Sequence, residues 1–407
     1  MSLPVSPQGD LTVALARDPY RTLSQTALRV GADAFRGKLL LSDTVFLTGR
    51  DMAEQFYTGG FATVSPTGSG KILGFIGGND TDAETQQTER QRRRALLTDA
   101  IAPEKREALI GRVEAGLKAL SERAPNEIVL RDEMVRVLTR ATLEWAGLTL
   151  SEGEAEKVAE DLITRSGHAI PTSLRKVGAA PSQQRLESWA ATLIGEIRAN
   201  TREVTRDGLA DQVASYYTAE MLPPDRKEAG TEFLNHLNAI TGVATYFTFM
   251  AHACATRENG HRDMSERPHS FVQEVRRYYP AVPFVRARTS KDVEIAGATV
   301  EAGTRVVLDL YGINHDARLW DHPAMFRPSR FDNLTIDPYA LLAQGAGDEV
   351  TGNPCPGLDL TTDLMLAFGE WFSGLTYEMP RQNLDLAMSE MPALPKSGVV
   401  LQNLRAA

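Results

Sequence analysis

Cysteine is scarce in this chain: Cys254 and Cys355 are the only two in 407 residues. Two thiols so far apart give no disulfide framework and no paired metal-ligand spacing. Long uncharged apolar runs are also missing, and residues 1–18 carry neither a basic n-region nor a sustained apolar stretch. Without a membrane-spanning run or a leader pattern, the expectation is a cytoplasmic protein with no membrane partner. Basic charge is in deficit, with 44 Lys and Arg against 53 Asp and Glu. No global field then draws the chain to nucleic acid or to an anionic surface. Only the run Arg90, Arg92, Arg93, Arg94 departs from that trend. Repeats, low-complexity tracts and a convincing linker are lacking too, so 1–407 reads as a single domain.

What is present suits a globular protein large enough to bury a cofactor, with 42% apolar and 24% charged residues. Helical spacing runs through 90–100, 103–123, 130–146, 152–163, 183–201, 207–218 and one long stretch, 226–257. Strand signals are few. A ribbon is expected from 38–41 and 45–47 with Ser42-Asp43 as its turn, and strands again at 292–295, 299–300 and 304–309 between Gly297 and Gly303. The fold class is therefore mainly α with small β-sheets. Residues 311–353 read as coil rich in Pro, Asp, Asn and Gly, and a coil of that length inside a domain usually serves function.

Chemistry concentrates in the last third. Within the helical stretch 271–279, Glu274 and Arg277 lie three apart and share a face where a charge-assisted pair forms. Phe326-Arg327-Pro328-Ser329-Arg330-Phe331 follows, then the Gly/Pro loop that starts at Gln344-Gly345-Ala346-Gly347 and ends at Asn353-Pro354-Cys355-Pro356-Gly357. An apolar helical pattern begins at once after it. A thiolate presented from such a loop at a helix N-terminus suits the axial position of a heme iron. A lone cysteine in a helical pattern, as at Cys254, reads as core.

Glu-x-x-Arg, Phe-x-Pro-x-Arg-Phe in its own variant, and Cys-Pro-Gly, in this order, resemble the cytochrome P450 superfamily. Three stretches look most like its fatty-acid peroxygenase subfamily, which uses hydrogen peroxide directly: Phe271 to Pro280, Leu308-Asp309-Leu310-Tyr311-Gly312, and Asn314-His315-Asp316 through Trp320-Asp321-His322-Pro323. The resemblance covers most of residues 30–400. It implies the cytochrome P450 fold, heme b as cofactor, Cys355 as the metal ligand, and Glu274, Arg277 and Arg330 as a buried ion cluster that locks the coil. It also implies that Arg90 and Arg94, one helical turn apart, reach a heme propionate, while Arg92 and Arg93 read equally as a solvated basic face. His315 and His322 read as surface or capping residues.

The chain departs from that pattern opposite the thiolate. Where monooxygenases of the superfamily carry an acid–alcohol pair, and the peroxygenases an Arg-Pro whose Arg holds the substrate carboxylate, this chain has Asn238-Ala239. Asn238 donates and accepts hydrogen bonds but cannot form an ion pair. A shifted register, Thr241-Gly242-Val243-Ala244-Thr245, lacks the acid at Ala244. Other departures are Ser65 before Pro66, a lengthened 76–88, and Asn353-Pro354 in place of basic residues. Arg286 and Arg288, two apart in a strand-like segment, share a face, one suited to a propionate and the other to an anionic substrate.

These readings predict a heme-thiolate oxygenase that uses hydrogen peroxide on a small apolar or aromatic organic substrate. Asn238 and Ala239 form its catalytic turn, and fatty-acid hydroxylation is weak or absent. The alternatives are a monooxygenase fed by a ferredoxin-type partner through a water chain, and a heme-binding protein without turnover.

Overall fold

In a computed structural model, the chain is described at residues 2–59, 61–64, 95–166, 175–217, 222–347 and 355–406. Period-two alternation in 34–47 folds as an antiparallel hairpin, Ala34–Leu39 against Ser42–Leu47, with Ala34 opposite Leu47 and Leu39 opposite Ser42. The turn is Leu40-Leu41, two residues earlier than the expected Ser42-Asp43, and both leucines have positive φ, 52° and 63°. Side chains just upstream explain the choice. Leu40 N–H donates to Thr12 Oγ1 at 2.6 Å and Leu41 N–H to Asp10 Oδ2 at 2.8 Å, so the turn's donors are satisfied in this register.

The hairpin is the seed of a six-stranded mixed sheet. Its order is Val5–Asp10, Ala34–Leu39, Ser42–Leu47, Arg305–Asp309, Phe284–Thr289 and Phe61–Val64. Both faces are buried. Val45, Leu47, Val306 and Leu308 pack on one side with Phe56 and Ala287, while Phe35, Phe46, Val307 and Phe284 pack on the other with Leu15 and Leu23. Alternate residues of one strand thus enter two cores, which is why the central strands read as continuous apolar runs.

The chain groups into two compact units. One comprises Met1–Glu84, His269–Cys355 and Leu386–Leu394, and contains this sheet. The other comprises Thr85–Pro268, Pro356–Asp385 and Pro395–Ala407 and is mainly helical, with a three-stranded sheet ordered Leu375–Glu378, Val400–Ala406, Glu127–Val129. Its helices Pro103–Arg123, Leu130–Trp145 and Glu152–Ser166 follow the sequence reading closely, whereas the helix expected over 183–201 is Arg175–Arg198. The Leu358–Ser373 helix adds the stacked Phe368 to Phe247, ring centroids 4.5 Å apart, in the helical core. Mainly helical with small sheets is thus the observed class. Among the described residues no helix is long and apolar enough to cross a membrane.

The expected long helix 226–257 is two helices, Arg226–Thr241 and Ala244–Thr256. Gly242 N–H still reaches Asn238 O at 2.9 Å, but Val243 N–H turns to Ile240 O and Thr245 N–H to Gly242 O. A tightened turn of i to i−3 bonds therefore interrupts the helix four residues after Asn238.

Candidate functional site

Glu274 and Arg277 sit on the Pro268–Tyr278 helix with no exposed surface. Arg277 Nε and Nη2 donate to Glu274 Oε2 and Oε1, each at 2.8 Å. Arg330, on the short 3-10 turn Pro328–Phe331, donates from Nε to Glu274 Oε2 at 3.0 Å, and Arg327 N–H reaches Glu274 Oε1 at 2.7 Å. The remaining guanidinium hydrogens go to main-chain oxygens. Arg277 serves Asn314, Pro323 and Met325, and Arg330 serves Asp321, His322 and Met325. Trp320 and Tyr278 lie 5.5 and 5.7 Å from the Arg277 guanidinium carbon, which excludes water from the pair. The irregular stretch 314–325 is thereby tied to one carboxylate through two cations.

Cys355 is half-buried and stands three residues before the Leu358–Ser373 helix. Its N–H donates to Gln344 O at 2.8 Å, while Gln344 Oε1 accepts from Arg276 Nε at 3.1 Å. Gly345 and Gly347, just after Gln344, have φ of 83° and 85°, a region that favours glycine. Cys254 is different. It is buried with its Sγ 3.7 Å from Met264 Sδ, and burial pushes its thiol up to about 12, so it stays protonated as core.

Asn238 lies on an uncovered stripe of its helix. Asn235, Ala239 and Gly242 are exposed and Asn238 and Thr245 half-buried, while Phe233, Leu234, Leu237, Ile240 and Ala244 are buried. The buried Ala244 of the shifted register is therefore turned away from this stripe. Asn238 Oδ1 accepts a hydrogen bond from Arg165 Nη2, an arginine in the last turn of the Glu152–Ser166 helix. Arg165 Nη1 donates to Gln183 Oε1 at 3.2 Å, and its Nε is buried with no hydrogen-bond partner among the described residues. Burial lowers the Arg165 pKa, with the Glu187 charge opposing that shift. The Arg165–Asn238 contact was not legible in the sequence, because an arginine ending an amphipathic helix has the signature of a surface cation complementing the dipole.

Arg286 and Arg288 both lie on the Phe284–Thr289 strand. Arg286 is buried, and Arg288 is half-buried with Nη1 donating to Gly303 O at 2.7 Å. His315 caps the Leu310–Asn314 helix through Nδ1 and Tyr311 O at 3.0 Å, and His322 is exposed. Arg90, Arg92, Arg93, Arg94, Ser65, 76–88 and Asn353-Pro354 lie outside the described residues.

Comparison with known proteins points one way. The family model described as Cytochrome P450 matches residues 256–363, which hold the Glu274 cluster and Cys355. A solved variant of cytochrome P450SP alpha is 34% identical, with a TM-score of 0.86 over 98% of this chain and 99% of that one. The chain belongs to the cytochrome P450 family. Ligand-free cytochrome P450 OleT is 25% identical with a TM-score of 0.86, covering 100% of this chain and 99% of that one. Curated relatives include (+)-piperitol/(+)-sesamin synthase of Sesamum radiatum, 32% identical over 132 residues, and cytochrome P450 71D181 of Thymus vulgaris, 29% identical over 134. Those matches take in 32% and 31% of this chain and span only about a quarter, 25% and 26%, of the curated relatives' length.

Heme b is the cofactor of a P450, and the donors present fit it. The soft iron–thiolate bond needs an accessible sulfur on a fixed backbone. Cys355 offers a half-buried sulfur on a loop pinned at Gln344, whereas Cys254 offers a protonated thiol sealed in apolar packing.

Proposed function

We propose that this P450 is a heme-thiolate oxygenase in which Cys355 is the iron ligand and hydrogen peroxide the oxidant. The observation that carries this reading is the pinned, half-buried Cys355, on a chain whose solved neighbours of similar length include cytochrome P450SP alpha and OleT. Bound heme supplies the oxygen-transfer chemistry, to which a thiolate ligand lends electron density. The protein side is the work of named residues. Glu274, Arg277 and Arg330 hold the 314–325 stretch rigid, and Arg276 holds Gln344, which holds the Cys355 amide. Buried Arg286 is assigned to a propionate together with Arg90 and Arg94, while Arg288, bonded to Gly303 O, is a tie within its own sheet.

In the helical unit, the Asn238 carbonyl oxygen is committed to Arg165, so its Nδ2 hydrogens remain to donate to a peroxide, water or substrate oxygen. Ala239 contributes space beside it. A proton carrier must then be a bound water or a group on the substrate. The substrate is a small apolar or aromatic organic molecule, and the setting is the cytoplasm.

A second reading, a monooxygenase fed by a ferredoxin-type partner, is favoured by the uncharged Asn238-Ala239 pair. The test is a carbon-monoxide spectrum of the reduced holoprotein, then turnover with peroxide alone and with a ferredoxin system alone. A thiolate-type Soret band that vanishes in Cys355→Ala is expected; its absence from the wild type overturns the heme-thiolate reading. Turnover only with the ferredoxin system overturns peroxide as oxidant.

A further inference from the structure

The Arg226–Thr241 helix sets two side-chain amides on its uncovered stripe, Asn235 exposed and Asn238 half-buried one turn later. Each is held at one end by a partner that works in one direction only. A guanidinium only donates, so Arg165 Nη2 takes the Asn238 Oδ1 and leaves Nδ2 as the end Asn238 presents. A carboxylate only accepts, so the buried Glu232, one turn before Asn235, takes Asn235 Nδ2 at 3.4 Å and leaves Oδ1 as the end Asn235 presents. The other Glu232 oxygen lies 3.4 Å from His236 Nε2, which holds the carboxylate in turn. Among the described residues, neither side-chain amide makes a further hydrogen bond. Gln183 is different: its Oε1 accepts from Arg165 and its Nε2 donates to Glu187 Oε1, so both ends are spent inside the protein.

The stripe therefore offers one acceptor and one donor three residues apart, a spacing that brings side chains within about 5–6 Å on a helix face. Ala239, exposed and one turn after Asn235, leaves the space beside both amides open. The Arg165 charge is already answered, since the Glu187 charge acts on it and its Nη2 is bonded to Asn238. A carboxylate has acceptors only and would set oxygen against Asn235 Oδ1. An ammonium has donors only and would set N–H against Asn238 Nδ2. A neutral amide carries both, an N–H for Asn235 and a C=O for Asn238, and leaves no polar group of the pair unmatched.

We propose that Asn235 and Asn238 form the polar end of the substrate site, and that it takes organic molecules bearing a neutral amide, a carboxamide or lactam, on an apolar body. This deepens the proposed function and rests on its substrate lying along this stripe. Asn235 accepts the N–H of the ligand and Asn238 donates to its C=O. Glu232 and Arg165 are positioning residues that set these two opposite polarities.

Calorimetric titration of the holoprotein with phenylacetamide, phenylacetate, methyl phenylacetate and phenethylamine tests this, because the four differ chiefly in their polar group. The amide should bind tighter than each of the others by about tenfold or more. Asn235→Leu should cut the amide-to-ester preference by about tenfold, since the ester uses only the Asn238 donor. Asn238→Asp keeps an acceptor for Arg165 but loses the donor, so amide and ester should both weaken, with a melting temperature no lower than wild type. Glu232→Gln both donates and accepts, which frees Asn235 to turn over, so the amide preference should fall while ester affinity holds; a merely structural Glu232 would weaken both alike. Tighter binding of the acid or the amine, equal binding of amide and ester, or an amide preference unchanged in Asn235→Leu overturns the proposal. The reduced carbon-monoxide spectrum of the same samples reports the heme-thiolate reading separately. A thiolate band without amide preference overturns the amide site alone, and amide preference without the band overturns the heme-thiolate reading alone.

Discussion

Arg277 and Glu274 exchange two N–H···O bonds of 2.8 Å with neither side chain exposed, one helical turn apart on the Pro268–Tyr278 helix. A bidentate pair this dry is asymmetric in its consequences, because removing one partner strands the charge of the other. Here a second cation, Arg330, shares the same carboxylate.

Glu274→Gln should therefore destabilise the protein by about 3–5 kcal/mol. Arg277→Lys should also destabilise it, since an ammonium cannot span both carboxylate oxygens and three carbonyls. Urea midpoints and the heme-to-protein absorbance ratio of purified protein measure both effects. A wild-type midpoint with full heme content in Glu274→Gln would contradict the assigned role.

Asp309 introduces a pH dependence at neutral pH. It caps the Leu310–Asn314 helix by accepting from Gly312 N–H at 2.8 Å, and burial pushes its carboxyl up to about 7 from 3.8. A raised folded pKa means that the native state holds the proton more tightly, so its stabilising contribution is complete at acid pH and lost as pH rises through about 7. Asp309→Asn keeps the cap oxygen without the charge. Its melting temperature should exceed wild type at pH 8 and converge with it near pH 4; parallel curves would contradict the buried acid.

His315 works in the other direction. It is stacked on Tyr311 with centroids 4.0 Å apart, and burial with the nearby Arg277 charge pushes it down to about 3 from 6.5. The native state resists protonation, so this contribution is present above 6.5 and declines as pH falls toward 3. His315→Phe retains the stacking and should flatten the stability profile between pH 6.5 and 5, measured by urea unfolding at each pH. An unchanged slope there would count against it.

The hairpin turn offers a stabilising change. Leu40 and Leu41 adopt the left-handed region at 52° and 63°, and Leu41 is 82% exposed. A two-residue turn with both φ positive favours Asn-Gly. Leu40→Asn with Leu41→Gly should stabilise by about 1–2 kcal/mol, from the left-handed cost of a residue with Cβ. Calorimetric melting checks this, and a lower melting temperature would contradict it.

The Glu274 cluster was legible because its first contact is local, three residues apart on one helix, and its order before Arg330 and Cys355 is distinctive. The helix break at Gly242-Val243 was not. Gly242 and Val243 keep right-handed helical dihedrals, so the 3.6-residue apolar period passes through the interruption unaltered. The register of the hairpin was hidden for a related reason. Apolar residues at Leu40 and Leu41 continue the strand pattern, and only the acceptors Thr12 and Asp10 decide where the chain reverses. Arg165 was hidden because its partner, Asn238, lies 73 positions away on another helix.

Arg277 and Arg330 hold the 314–325 stretch by gripping peptide oxygens at Asn314, Asp321, His322, Pro323 and Met325. Peptide oxygens are the same whatever residue bears them. The stretch is therefore free to drift in composition at its outward side chains, His322 among them, while its path is inherited intact. A substitution scan across 314–325 should find tolerance at His322 and Met325, whose carbonyls are gripped while their side chains are exposed, and intolerance at the two distant arginines that grip them.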